Sequence, residues 1–100
     1  MTMLGIFAKP PRPGLVKTRL IPDIGADNAA RVYRYCLEYT LRMARDSGID
    51  YQLYLTEESD DELLRDEPAA VQQGDNLGTR MLNAVKELLA RSPDGAIIIG

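Results

Sequence analysis

The chain has 100 residues, 15 acidic and 12 basic, for a net charge of −3, with 45% hydrophobic residues, one cysteine and no histidine. A single cysteine excludes an internal disulfide, and the missing histidine removes the usual general base and the commonest metal ligand, which weighs against triad hydrolases and zinc enzymes. The acidic balance argues against a general nucleic-acid binder, and no stretch approaches the roughly 20 apolar residues of a membrane span.

Residues 3–8, Met-Leu-Gly-Ile-Phe-Ala, read as a short buried strand. The run is too short for a signal peptide and lacks a basic flank, so a cytoplasmic protein is expected. It leads straight into Lys9-Pro10-Pro11-Arg12-Pro13-Gly14-Leu15-Val16-Lys17-Thr18-Arg19-Leu20. Three prolines and Gly14 deny this segment an ordinary helix. Its four cations, Lys9, Arg12, Lys17 and Arg19, precede the first acid at Asp23. They give the first 22 residues +4 and leave −7 for the rest. A rigid basic loop leaving the carboxyl end of a first strand suits a polyphosphate ligand, because backbone N–H groups and basic side chains converge there. Lys17 and Arg19, flanking Thr18, would address one anion together if the backbone is extended. The plain alternative is a solvated basic loop. A P-loop is rejected, since Leu15 and Val16 separate Gly14 from Lys17, and the dinucleotide fingerprint Gly-x-Gly-x-x-Gly is absent.

Asp27 or Asn28 is placed to cap a helix running to about Ser47 and ended by Gly48. Its predicted buried face is Val32, Tyr33, Cys36, Leu37, Thr40, Leu41 and Ala44, with Cys36 as a small core residue. Residues 51–56 alternate as a strand. Glu57 to Glu67 holds seven carboxylates and one arginine, with a short helix around Asp60–Arg65; a solvated face suits it better than a metal site. Residues 69–73 form a short strand into the turn Gly74-Asp75-Asn76. A second amphipathic helix is predicted over Leu77–Arg91, burying Leu77, Met81, Ala84, Val85, Leu88 and Leu89. Ser92-Pro93-Asp94-Gly95 breaks it, and Ala96–Ile99 reads as an interior parallel strand covered on both faces. The five tyrosines, 33, 35, 39, 51 and 54, are expected to be packing residues. Alternating strands and helices predict an α/β chain with a mainly parallel sheet of about four strands and flanking helices. A chain that stops just after a central strand further predicts a truncated domain, or a half-domain completed by another chain.

The segment from Phe7 to Leu20 closely resembles the opening of a prokaryotic family of GT-A-type transferases. These look like nucleotide-diphospho-sugar transferases and are similar to the 2-phospho-lactate guanylyltransferases, which share a Lys-Thr/Ser-Arg-Leu element. Gln72-Gln73-Gly74-Asp75-Asn76-Leu77-Gly78-Thr79-Arg80-Met81 resembles the family's second block. It also fits the Gln-x-x-x-Leu-Gly-Thr element by which sugar nucleotidyltransferases hold the nucleobase. The resemblance implies the N-terminal, nucleotide-binding half of a GT-A-like Rossmannoid domain. It implies a nucleotidyltransferase or glycosyltransferase using a nucleoside triphosphate or nucleotide sugar and a small-molecule acceptor.

On that resemblance Lys17 and Arg19 carry the phosphate chemistry, and Lys9, Arg12, Pro13, Gly14 and Thr18 complete the phosphate loop. Gln73, Gly74, Asp75, Gly78, Thr79 and Arg80 address base and ribose. Mg²⁺ or Mn²⁺ is implied, its acidic ligand belonging to a turn that follows Gly100 in the family. Two alternatives stand beside the enzyme reading. One is a non-catalytic nucleotide- or phosphate-binding module; the other is a structural interaction domain that assembles, as a homo-oligomer or otherwise, through its last strand.

Overall fold

The computed structural model describes residues 2–100. In chain order they form β1 (Thr2–Ala8), a 3-10 turn (Thr18–Leu20), α1 (Ile21–Ile24) and α2 (Ala26–Ser47). There follow β2 (Tyr51–Leu55), β3 (Ala69–Val71), α3 (Leu77–Arg91) and β4 (Gly95–Ile99). The four strands make one parallel sheet in the order β3-β2-β1-β4, which is the expected α/β architecture. Ile6 stands opposite Leu53 on one side and Ile99 on the other, so β1 lies at the centre.

Strand periodicity divides the core in two. Ile6, Ala8, Leu53 and Leu55 point to one face and meet Leu37, Leu41 and Ala44 of α2. Met3, Phe7, Tyr54 and Ile98 point to the other and meet Ala84 and Leu88 of α3. Gly5 lies on this second face, where an added Cβ would come within 2.7 Å of Ile98 Cδ1 and 2.9 Å of Leu88 Cδ1. The missing side chain lets α3 lie close to the sheet. Tyr54 gives this face a polar anchor: its hydroxyl donates to Glu87 Oε1 at 3.0 Å.

Burial, reinforced by the neighbouring Glu87 carboxylate, pushes the Tyr54 phenol up to about 12. The sign of the linkage follows. Because the folded-state value lies above the unfolded one near 10, the folded chain holds the proton more tightly. Tyr54's contribution is complete below about pH 10 and is lost as the pH rises towards 12. Urea titrations from pH 8 to 11.5 should show stability falling above pH 10, and Tyr54→Phe should flatten that fall. An identical profile in Tyr54→Phe would remove Tyr54 as its source.

Several local expectations are corrected. Helix α2 starts at Ala26 after Gly25, not at a cap on Asp27 or Asn28. Its buried residues are Ala29, Ala30, Leu37, Leu41 and Ala44, while Val32 and Cys36 are exposed. The covered stripe is narrower than the apolar pattern, so Cys36 is not a core residue. In α3 only Ala84 and Leu88 are buried; Leu77 is 64% exposed, and Met81 and Leu89 are partly exposed. Tyr35 and Tyr39 are also exposed, contrary to a packing role.

The acidic segment forms turns, not a helix around 60–65. Asp61 accepts from the Leu63 N–H and from the Arg34 guanidinium, which fixes a turn instead. Glu67 is likewise no solvated acid: its side chain is only 4% exposed and is bonded by Arg45 and the Tyr51 hydroxyl. Strand β3 stops at Val71, two residues earlier than expected. Strand β4 lies at an edge of the sheet among the described residues, with Ile97 and Ile99 40–50% exposed because α2 does not reach across it.

Candidate functional site

Strands β1, β2 and β3 step outward in one direction, and β4 then pairs on the opposite side of β1. The direction of winding therefore reverses between β1 and β4. In open parallel sheets the crevice beyond the strand ends at such a reversal is where ligands bind. A cavity of about 530 Å³ lies there. Phe7 and Ala8 end β1, Thr56 follows β2, Gln72 follows β3, and Ile99 and Gly100 close β4; all six line it. The strand ends are tied together beneath it by Thr56 N–H donating to Ala8 O and Gln72 N–H donating to Leu55 O.

Three cations line the cavity, Lys9, Lys17 and Arg80, and no acidic side chain does so among the described residues. Lys17 reaches its place through an uncommon backbone. Val16 is 2% exposed and anchors the loop, after which the chain must reverse into the 3-10 turn. Lys17 makes that reversal at φ 51° and ψ 42°, the only positive φ at a non-glycine residue among those described. A left-handed conformation at a lysine costs about 1–2 kcal/mol, a strain of the kind that clusters at functional sites.

On the opposite wall, α3 is capped by Asn76, whose side chain accepts from Thr79 N–H at 2.9 Å. Arg80 follows one turn later, held by its Nε donating to Gly74 O at 2.9 Å. Gly74 is essential to this arrangement. It sits at φ 138°, and a Cβ there would meet Arg80 N at 2.9 Å and Thr79 C at 3.1 Å, both backbone atoms that cannot swing away. Gly74→Ala should therefore destabilise the chain by about 1–3 kcal/mol and displace Arg80 from the cavity. Chemical denaturation would check the first effect and a solution structure of the variant the second; an unchanged midpoint would show that the turn relaxes freely.

The loop residues singled out from sequence do not all meet here. Lys9 and Lys17 do, but Arg12, Pro13, Gly14, Thr18 and Arg19 are exposed and do not line the cavity. The backbone after Lys17 is a 3-10 turn, not extended, so Lys17 and Arg19 are not presented side by side. Arg12 pairs with Glu57 at 3.2 Å and lines a separate cavity next to β3.

In the second block Arg80 faces the cavity, whereas Gln73, Asp75, Gly78 and Thr79 are exposed and do not line it, nor does the half-buried Gly74. Gln72 stands on the wall in place of Gln73. Its Nε2 donates to Tyr54 O at 3.1 Å, which leaves Oε1 and the second amide N–H for a ligand. Sequence reasoning missed Gln72, Thr56 and Tyr33 as wall residues. The strand ends at Leu55 and Val71 would have marked the first two.

The cavity wall supplies no carboxylate, and among the described residues no group of three His, Cys, Asp or Glu side chains could hold a metal ion. These residues do not fit a divalent-ion site. Another depression, of about 780 Å³, lies at the other end of the sheet, lined by Arg45, Tyr51, Pro68, Arg91 and Ser92 among others. Three of its polar side chains are engaged with the protein, Arg45 and Tyr51 with Glu67 and Arg91 with Gln52 Oε1 at 3.0 Å, while the buried Ser92 hydroxyl has no partner among the described residues. It lies at the amino ends of the strands, away from the reversal.

Fold and cavity together define an α/β chain with a crevice at the strand reversal, lined by Lys9, Lys17 and Arg80. The chain is similar to the solved structure of a "putative nucleotide-diphospho-sugar transferase" from Desulfovibrio desulfuricans G20, with a TM-score of 0.82 and 30% identity over 91% of its own length. That bears out the resemblance to nucleotide-diphospho-sugar transferases carried by residues 7–20 and 72–81. The chain spans 42% of the length of that solved chain. No family model matches it, and no curated protein does.

Proposed function

We propose that this chain binds the phosphate-bearing part of a nucleoside triphosphate or nucleotide sugar in the β1/β4 crevice, and so forms the nucleotide-binding part of a transferase. The observation that carries this reading is the convergence of Lys9, Lys17 and Arg80 on one cavity at the strand reversal, with no acid on its wall. Its support from outside the chain is the likeness to a nucleotide-diphospho-sugar transferase.

In the implied reactions an acceptor attacks either the α-phosphorus of a triphosphate or the anomeric carbon of a nucleotide sugar. Pyrophosphate or the nucleotide then leaves. The chain's contribution is positioning and charge neutralisation. Lys17 is the first phosphate contact, since its strained backbone holds it at the cavity, and Lys9 and Arg80 meet the remaining oxygens. Gln72 is set to read a base or ribose edge through its free amide groups. Arg19 and the exposed loop residues contribute at most an attractive field at the mouth. No step is assigned to a metal, because the wall does not fit one.

Calorimetric titration with GTP, CTP, UTP and UDP-glucose tests this directly. Saturable binding with a preference among bases is expected, and its absence from the folded chain would contradict autonomous nucleotide binding. A second reading, assembly through β4, is favoured by the edge of that strand, unpaired among the described residues, and by the exposed Ile97 and Ile99. It predicts a concentration-dependent oligomer by sedimentation that Ile97→Lys disperses.

A further inference from the structure

Tyr33 is a residue that neither the loop motif nor the second block includes. It lies on α2, not on the loop, and it is half-buried against the core cluster that includes Leu37 and Ala8. Its hydroxyl oxygen accepts the backbone N–H of Lys9 at 2.8 Å, pinning the first residue of the loop to the helix. Tyr33 also lines the 530 Å³ crevice and a smaller cavity of about 240 Å³, and Lys17 lines both as well. Tyr33 and the strained lysine thus share the walls of both cavities.

A tyrosine hydroxyl has one proton to donate besides its lone pairs. In Tyr33 one lone pair is taken by Lys9, and among the described residues nothing accepts the proton. Burial pushes this phenol up against the opposing effect of the Lys9 N–H, so the hydroxyl keeps its proton at neutral pH. A neutral donor on a residue that shares a cavity wall with two lysines and no acid has a natural acceptor in an anionic oxygen. Building on the nucleotide-binding reading, we propose that the Tyr33 hydroxyl donates its proton to a phosphate oxygen of the bound nucleotide, while its lone pair fixes Lys9. It would then link loop position to ligand binding through a single atom.

The test is titration of the full chain and of Tyr33→Phe with inorganic pyrophosphate, GTP and UDP-glucose, together with ¹³Cζ resonances of labelled tyrosine. Pyrophosphate isolates the phosphate contact because it carries no base or sugar. The expected result is binding about tenfold weaker for all three ligands in Tyr33→Phe, the size of one hydrogen bond to a charged group. The Tyr33 ¹³Cζ signal of the unsubstituted chain should also shift on adding pyrophosphate.

Amide exchange at Lys9, measured without ligand, separates the pinning role, because faster exchange there in Tyr33→Phe reports only the lost acceptor. Unchanged affinity in Tyr33→Phe overturns the proposal and leaves the nucleotide reading standing. So does weakened affinity with an unmoved ¹³Cζ signal, or a chain that binds GTP but not pyrophosphate. Failure of the unsubstituted chain to bind any of the three overturns both.

Discussion

Lys17→Gly is expected to weaken nucleotide binding by about 10- to 100-fold, the cost of removing a charged hydrogen-bond donor from a phosphate, while leaving the chain no less stable. Both halves of this expectation come from one residue's conformation. Lys17 sits at φ 51° on the cavity wall, so its backbone is unfavourable for any side chain while its ammonium serves the ligand. Glycine accepts that backbone without penalty, so the substitution deletes the charge and relieves the strain together. Lys17→Ala would mix the two effects, since alanine keeps the strain.

Arg19→Ala supplies the contrast. Arg19 is exposed in the 3-10 turn and does not line the cavity, so its loss should cost only a few-fold, and less at high salt. Calorimetry on the two variants, with denaturation midpoints alongside, checks the pair. Equal losses from Lys17 and Arg19 would mean that the phosphates lie outside the crevice, along the exposed loop.

The largest stability effect is expected from Leu53→Ala. Leu53 is fully buried at the middle of β2, in the cluster formed by Ile6, Leu37, Leu41 and Leu55. Truncating such a leucine removes its transfer free energy and leaves a cavity, typically about 2–5 kcal/mol in total. A domain's whole stability is about 5–15 kcal/mol, and small domains bury the least surface. The variant should therefore unfold at much lower urea, close to complete loss at 37 °C. Leu82→Ala, at a side chain 53% exposed, should change stability by less than about 1 kcal/mol. Similar midpoints for the two variants would mean that the sheet's α2 face is not the main core.

The α/β order was legible because its signals are local. Strand runs, a long amphipathic segment ended by Gly48, and a turn at Gly74–Asn76 each declare themselves within a few residues. Which apolar residues are covered was not legible, because coverage depends on how far a neighbouring element extends. Cys36 and Val32 match the helical period of α2 as well as Leu37 does, yet they are left exposed among the described residues while Leu37 is buried. Leu77 and Met81 fit the face of α3 but project past the strand ends, where Met81 and Leu77 become cavity wall.

The site was half legible for a similar reason. Charge and proline content marked the loop, and Lys9 and Lys17 do converge on the cavity. A one-residue backbone feature at Lys17 decides that Arg19 turns away, and no composition reveals a positive φ at lysine. Gln72 and Gln73 are indistinguishable in sequence, and the end of β3 at Val71 determines which of them faces the cavity. Tyr33 reads as one more core aromatic until its hydroxyl is seen to hold Lys9.

The most direct measurement is amide chemical-shift mapping of the chain titrated with GTP and with UDP-glucose. Perturbations grouped at Lys9, Lys17, Tyr33, Thr56, Gln72 and Arg80 are expected, at the carboxyl ends of the strands. Perturbations grouped instead around Arg45, Tyr51 and Arg91, at the opposite end of the sheet, would contradict nucleotide binding in the β1/β4 crevice.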